Sequence, residues 1–198
     1  MRTSLVVAAG VLLVMMASSS AASAQGYNQL REWCFGDSTD DQTIQGCNAV
    51  VLSNQEPQQN KGDAIGNRAL AYKHKGQLDR AMEDYDEAVR LSPQNSNNFN
   101  LRGSLYDTKG QPERAIQDYN QAIKLDPNSS TAYNNRGLAY IHLDQIDRGI
   151  QDYTQAIKLN PNYSTAYSNR GIAFQKKGMV AQAKADQDKA DLLKKQGH

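Results

Sequence analysis

The chain has 198 residues, with 22 Lys and Arg against 21 Asp and Glu, so its formal net charge is +1. This length is enough for one domain or one repeat array. Nucleic-acid binding draws most of its affinity from phosphate neutralisation, so a chain without a cationic excess is a poor candidate for it. Attraction to an anionic membrane surface is disfavoured for the same reason.

The first 24 residues have the pattern of a secretory signal peptide. A single basic residue, Arg2, precedes an apolar run from Leu5 to Ala17 and a small-residue stretch that ends in Ala24. The apolar run is shorter than the about 20 residues of a membrane span, so a retained anchor is the less favoured alternative. We predict cleavage after Ala24 and a mature chain that lies in the periplasm or outside the cell, without stable membrane insertion.

The segment 25–57 contains the only two cysteines of the sequence, Cys34 and Cys47. In an exported chain an even pair indicates a disulfide, and free thiols or half of a metal site are the alternatives. The stretch IQGCNAVV aligns with IQDYNQAI, which begins at Ile116, so the segment reads as a degenerate helical unit. We predict an N-terminal cap stapled by the disulfide, followed by a linker at 58–61.

From residue 62 onward the sequence repeats with a period of 34. Prolines, glycines, tyrosines and alanines each recur at this interval, and every unit shows two helical patterns with one break between them. One such helix pair cannot bury its own apolar stripe, but stacked pairs share a continuous core. The predicted units are 62–95, 96–129, 130–163 and 164–198, the last of which includes a polar C-terminal cap.

The spacing within each unit resembles the tetratricopeptide repeat. In the third unit the pattern consists of Tyr133, Gly137, Tyr140, Ala156 and Pro161. The resemblance implies an all-α, right-handed solenoid of stacked antiparallel helix pairs, whose first helices line a concave groove for a partner peptide or helix. The arrangement is similar to small exported repeat proteins of Gram-negative bacteria.

An arginine occupies the same position in the first helix of every unit, where the family more often has an apolar residue. An aspartate follows each arginine by sixteen residues, in the second helix of the same unit. An arginine fork can hold a carboxylate through two parallel hydrogen bonds, so we predict structural ion pairs rather than a row of anion-binding cations. The predicted pairs are Arg68 with Asp84, Arg102 with Asp118, Arg136 with Asp152, and Arg170 with Asp186.

Other positions on the first helices are the predicted partner contacts, because the resemblance places them in the groove. They form an amide-rich and partly apolar surface, and the alternative is that the polar ones only solubilise a helix face. The basic clamp with which some family members bind acidic chaperone tails is absent, since Gly66, Leu70 and Thr131 occupy its positions. The candidate contacts are Leu70, Asn100, Ser104, Asn134, Leu138, Ile141, Ser168, Ile172 and Gln175.

No catalytic motif, phosphate-binding loop or metal-ligand spacing occurs in the sequence. His74 and His142 recur two units apart, so they are not expected to share a metal ion or a proton relay. We predict a non-enzymatic interaction scaffold or adaptor with a protein or peptide partner, and without cofactor, metal or nucleic acid. The alternatives are an accessory subunit of an envelope assembly or secretion complex and, less favoured, a carrier of small ligands or lipids.

Overall fold

The computed structural model describes residues 26–197, and every regular element within that range is an α-helix. The predicted signal peptide lies outside the described residues. Within 26–197 no helix is both long and apolar enough to span a bilayer. The helices are α1 (26–35), α2 (Asp40–Leu52), α3 (Gln58–His74), α4 (Leu78–Leu91), α5 (Ser96–Thr108), α6 (Pro112–Leu125), α7 (Ser130–His142), α8 (Ile146–Leu159), α9 (Ser164–Lys176) and α10 (Val180–Lys195).

The chain divides into two compact units, and the division falls within α4, between Asp84 and Tyr85. In the first unit the predicted disulfide between Cys34 and Cys47 is confirmed, and both side chains are buried. The helices it joins approach closely, since a Cβ added to Gly46 would lie 2.8 Å from the backbone nitrogen of Cys34. The bond therefore joins α1 to α2 where their backbones are already close, within a small core that includes Val50 and Ala64.

The connection between α2 and α3 differs from the prediction. Residues 58–61, predicted as a linker, form the first turn of α3, which begins at Gln58 after Pro57. Proline is compatible with the start of a helix because the backbone amides there have no partner within the helix. The irregular segment is therefore confined to residues 53–57.

The second unit is built from three stacked helix pairs: α5 with α6, α7 with α8, and α9 with α10. Successive pairs are in contact because α6 packs against α7, and α8 packs against α9. Within a pair, small residues allow the two helices to approach closely: a Cβ added to Gly137 on α7 would lie only 2.8 Å from the ring of Tyr153 on α8. The predicted all-α stack of helix pairs is confirmed.

The turn between the two helices of a pair requires a left-handed backbone. Gly76, Gly110 and Gly178 have φ values of 72°, 71° and 74° at corresponding positions, and Asp144 replaces glycine in the third repeat with a φ of 57°. A side chain makes this conformation unfavourable, although aspartate tolerates it better than most residues. The third repeat therefore contains a local backbone strain that the other three avoid.

Candidate interaction surface

The structure brings all four predicted arginine–aspartate pairs together. In each pair the guanidinium Nε and Nη2 atoms donate to the two carboxylate oxygens over 2.7–2.9 Å. In the pair of Arg136 with Asp152, only 19% and 8% of the side-chain surfaces are exposed. Such a two-point contact fixes the angle between the two helices of a pair as well as their distance.

The remaining guanidinium nitrogen, Nη1, reaches the helix that precedes the arginine's own pair. Arg102, Arg136 and Arg170 each donate to an acceptor sixteen residues earlier in the sequence, and Arg68 donates to one twenty residues earlier, across the longer connection before α3. Each arginine therefore joins three helices. The acceptors are Asp86 at 2.9 Å, Asn120 at 2.7 Å, Thr154 at 3.1 Å and Asn48 at 2.6 Å.

Aromatic rings from the same helix flank the arginines in the second unit. The guanidinium carbon of Arg136 lies 5.4 Å from the ring centroid of Tyr133 and 5.9 Å from that of Tyr140. The hydrogen bonds donated to Asp152 raise the pKa of Arg136 above its ordinary value. The arginine row is thus enclosed and neutralised, which leaves little positive charge for an anionic ligand.

Two of the predicted partner contacts, Asn100 and Asn134, lie mainly between repeats. They are 7% and 4% exposed. Asn100 accepts a hydrogen bond from Asn135 over 3.2 Å, and Asn134 accepts one from Asn169 over 3.0 Å. These amide bonds link α5 to α7 and α7 to α9. Contact with a partner remains a prediction for both residues, and the structure assigns them a role in stacking.

The other candidates in the second unit have more free surface. Ser104, Leu138, Ile141 and Ser168 are half-buried, whereas Gln175 is exposed. Ile172 is 51% exposed, and Val180 in the same repeat is 71% exposed. Ile172 lines a shallow cavity between α9 and α10 that also includes Gln175 and Val180.

In the first unit, the candidate Leu70 lines a separate cavity. The cavity also includes Phe35, which is 39% exposed, and His74. Its wall is held by Asn67, whose side-chain amide donates to the backbone oxygen of Cys34 over 2.9 Å. The disulfide-bonded cap therefore contributes directly to the surface on which Leu70 lies.

A cluster that the sequence interpretation did not single out surrounds Asp107 at the end of α5. The Oδ1 atom of Asp107 lies 2.8 Å from Nδ1 of His142 on α7, and 10% of the aspartate side chain is exposed. Burial, followed by the negative charge of Asp107, raises the pKa of Tyr119 on α6 and of Tyr153 on α8. The signal available in the sequence was that aspartate occurs at this repeat position once only.

The two internal histidines lie in separate contacts, since His74 pairs with Asp40 over 3.0 Å. Among residues 26–197, no three His, Cys, Asp or Glu side chains converge as a metal site would require. The geometry is that of a stacked α-helical repeat protein. The arginines that recur in its repeats are paired with aspartates, and of the candidate contacts in the second unit only Ile172 and Gln175 are exposed.

Comparison with known sequences identifies the repeat. Tetratricopeptide-repeat models match residues 62–95 and 130–163, and two further models of the same repeat match 103–144 and 152–185. These matches cover more than half of the chain, which belongs to the tetratricopeptide-repeat family. Among curated protein sequences, none matches this chain.

Solved structures share the fold at low sequence identity. MamA from Desulfovibrio magneticus RS-1 superposes with a TM-score of 0.72 at 18% identity, over 87% of this chain and 96% of that one. The first tetratricopeptide domain of Spaghetti (RPAP3), bound to an HSP90 peptide, gives 0.60 at 23%, over 63% and 99%. YrrB, a protein with an unusual peptide-binding site, gives 0.61 at 19%, over 78% and 77%.

Proposed function

We propose that this protein is a non-catalytic scaffold or adaptor that binds an extended peptide or a helix of a partner protein along its first helices. The observation that carries the proposal is the partly accessible surface of these helices in the second unit, above all exposed Ile172, next to arginines that are paired with aspartates. An apolar side chain held on a rigid helix can anchor a partner at low entropic cost.

The solved structures of the same fold support a peptide as the class of ligand. The Spaghetti domain is described with an HSP90 peptide and YrrB with a peptide-binding site. Stacked helix pairs provide a long surface on which an extended segment can make many weak contacts. The partner we propose is a polar or mildly apolar segment, because the candidate contacts combine amides and hydroxyls with Leu138, Ile141 and Ile172.

We also propose that the chain acts after export, in the periplasm or outside the cell. The signal-peptide pattern of residues 1–24 supports this proposal, as does the buried disulfide between Cys34 and Cys47, a bond that persists in oxidising compartments. The proposal requires that the mature protein begin near Gln25. Mass spectrometry of the protein isolated from the native cell can identify its N-terminal residue. A protein that still carries Met1 would contradict the proposed export.

Site-specific photocrosslinking in the native compartment tests the scaffold function. A photoreactive residue at Ile172 should capture one or a few defined proteins, whereas the same residue at exposed Lys158 on α8 should not. Capture of the same abundant proteins from both positions would contradict the proposal. Recovery of a single protein in a stable stoichiometric complex would narrow the function to that of an accessory subunit.

A further inference from the structure

Asp107 departs from the pattern that governs the scaffold. The arginines, their aspartates and the small residues of the core recur in the repeats, but the equivalents of Asp107 are Lys73, Ile141 and Gln175. A side chain that stacking required would recur with the period of the stack. The stacking of the repeats therefore does not require an aspartate at the position of Asp107.

The groups that act on Asp107 come from the three helices that follow its own, α6, α7 and α8. His142 approaches the carboxylate within 2.8 Å from α7, and the charge of Asp107 acts on the phenols of Tyr119 and Tyr153 from α6 and α8. Both tyrosine side chains are 1% exposed, so their rings are fixed by packing. The cluster is consequently rigid before any ligand arrives.

The polar atoms of this cluster are incompletely used. No side chain of residues 26–197 forms a hydrogen bond with the hydroxyl of Tyr119 or Tyr153, and no lysine or arginine in that range pairs with Asp107. Tyrosine hydroxyls are protonated at neutral pH, and burial raises the pKa of these two phenols further. The contact with His142 uses Oδ1 of Asp107, so among residues 26–197 the second carboxylate oxygen, Oδ2, is left as an acceptor.

We propose that Asp107 and His142, in the cluster with Tyr119 and Tyr153, form a binding site for one basic side chain, lysine or arginine, of the partner segment. The site has acceptors and a partly buried negative charge, which complement the several N–H donors and the positive charge of such a group. This inference rests on the proposed function, since it assigns a chemical preference to part of the same surface.

Selection of peptides from a random dodecamer library on the intact mature chain tests the site. We expect the recovered peptides to share a lysine or arginine at one position. A synthetic copy of the best peptide should lose at least about tenfold in affinity when that residue becomes norleucine, and a similar factor on Asp107→Asn. The matched control Glu113→Gln, which removes an exposed carboxylate from α6, should change affinity less than about twofold.

The outcomes separate this inference from the proposed function. Recovery of binding peptides without a shared basic residue, or equal affinities of the Asp107→Asn and Glu113→Gln proteins, would overturn the basic-residue site alone. Failure to recover any peptide would contradict the scaffold function and the site with it. Asp107→Glu keeps the negative charge, so its affinity for the peptide should be higher than that of Asp107→Asn. Unchanged peptide affinity in both Asp107 variants would contradict the site and would leave the Asp107–His142 contact with only a structural role between α5 and α7.

Discussion

The bond between Arg136 and Asp152 gives the sharpest test of how the repeats are held together. Replacing either residue by leucine removes both hydrogen bonds of 2.7 Å and leaves the other partner largely enclosed without its counter-charge. We expect each single variant to lower the free energy of unfolding by about 3 kcal/mol. The residual bond of Arg136 to Asn120 stabilises the Asp152→Leu protein somewhat.

The double variant, Arg136→Leu with Asp152→Leu, should cost less than the sum of the two single variants. It leaves no buried charge unpaired, and the two leucines can pack against each other. The difference from additivity, which measures the interaction itself, should amount to about 1 to 2 kcal/mol. Urea unfolding followed by circular dichroism at 222 nm provides the four free energies.

A pair elsewhere in the array provides the control for this cycle. Lys184 and Asp188 form an ion pair within α10 with side chains 74% and 65% exposed. Their alanine cycle should give a coupling of about 0.5 kcal/mol or less, because water screens exposed charges. Additive effects at Arg136 and Asp152, equal to those of the control, would refute the structural ion pair.

Three further predictions concern other parts of the chain. Replacing Cys34 and Cys47 together by alanine should lower the free energy of unfolding by about 3 kcal/mol, as calorimetry can show, and an unchanged melting temperature would contradict the role of the cap. Asp144→Gly should raise stability by about 1 kcal/mol in urea unfolding by removing the left-handed strain, whereas a loss would contradict that strain. Burial raises the pKa of Tyr119 and Tyr153 above 10.0, so the free energy of unfolding should be constant below pH 10 with respect to these groups and should fall as the pH rises above 10. Urea unfolding between pH 9 and 11, with tyrosine ionisation followed by absorbance at 295 nm, measures the effect, and an unchanged urea midpoint would contradict it.

The fold was predictable from the sequence because every repeat contains the same pattern of helix-forming and helix-ending residues. Proline, glycine and the apolar stripes mark the ends and faces of the helices every 34 residues, so one uncertain unit is corrected by its neighbours. The segment 58–61 lies outside this pattern, and its polar composition predicts a linker although it forms the start of α3. Helix propensity alone does not separate a polar first turn from a loop.

The contacts between successive pairs were less predictable. The bond of each arginine to its own aspartate involves one invariant residue type, whereas the acceptors of the third nitrogen vary among Asn48, Asp86, Asn120 and Thr154. Any side-chain oxygen suits an arginine N–H donor, so these positions show no common pattern in the sequence. The sequence likewise places Asn100 and Asn134 among the expected partner contacts, whereas their side-chain oxygens accept hydrogen bonds across repeats.

The arginine network makes a whole repeat an interchangeable module. Each guanidinium pairs with an aspartate sixteen residues later in the sequence. From the second repeat onward it also donates to an acceptor sixteen residues earlier, so the two acceptors are separated by nearly one 34-residue period. Deleting residues 103–136 would leave Arg102 with Asp152 in the place of its lost partner and with Asp86 still behind it. Duplication or loss of a 34-residue block therefore leaves every remaining arginine with its acceptors. An array of this kind can change its number of repeats, in evolution or by design, while each new junction keeps the same hydrogen-bonding pattern.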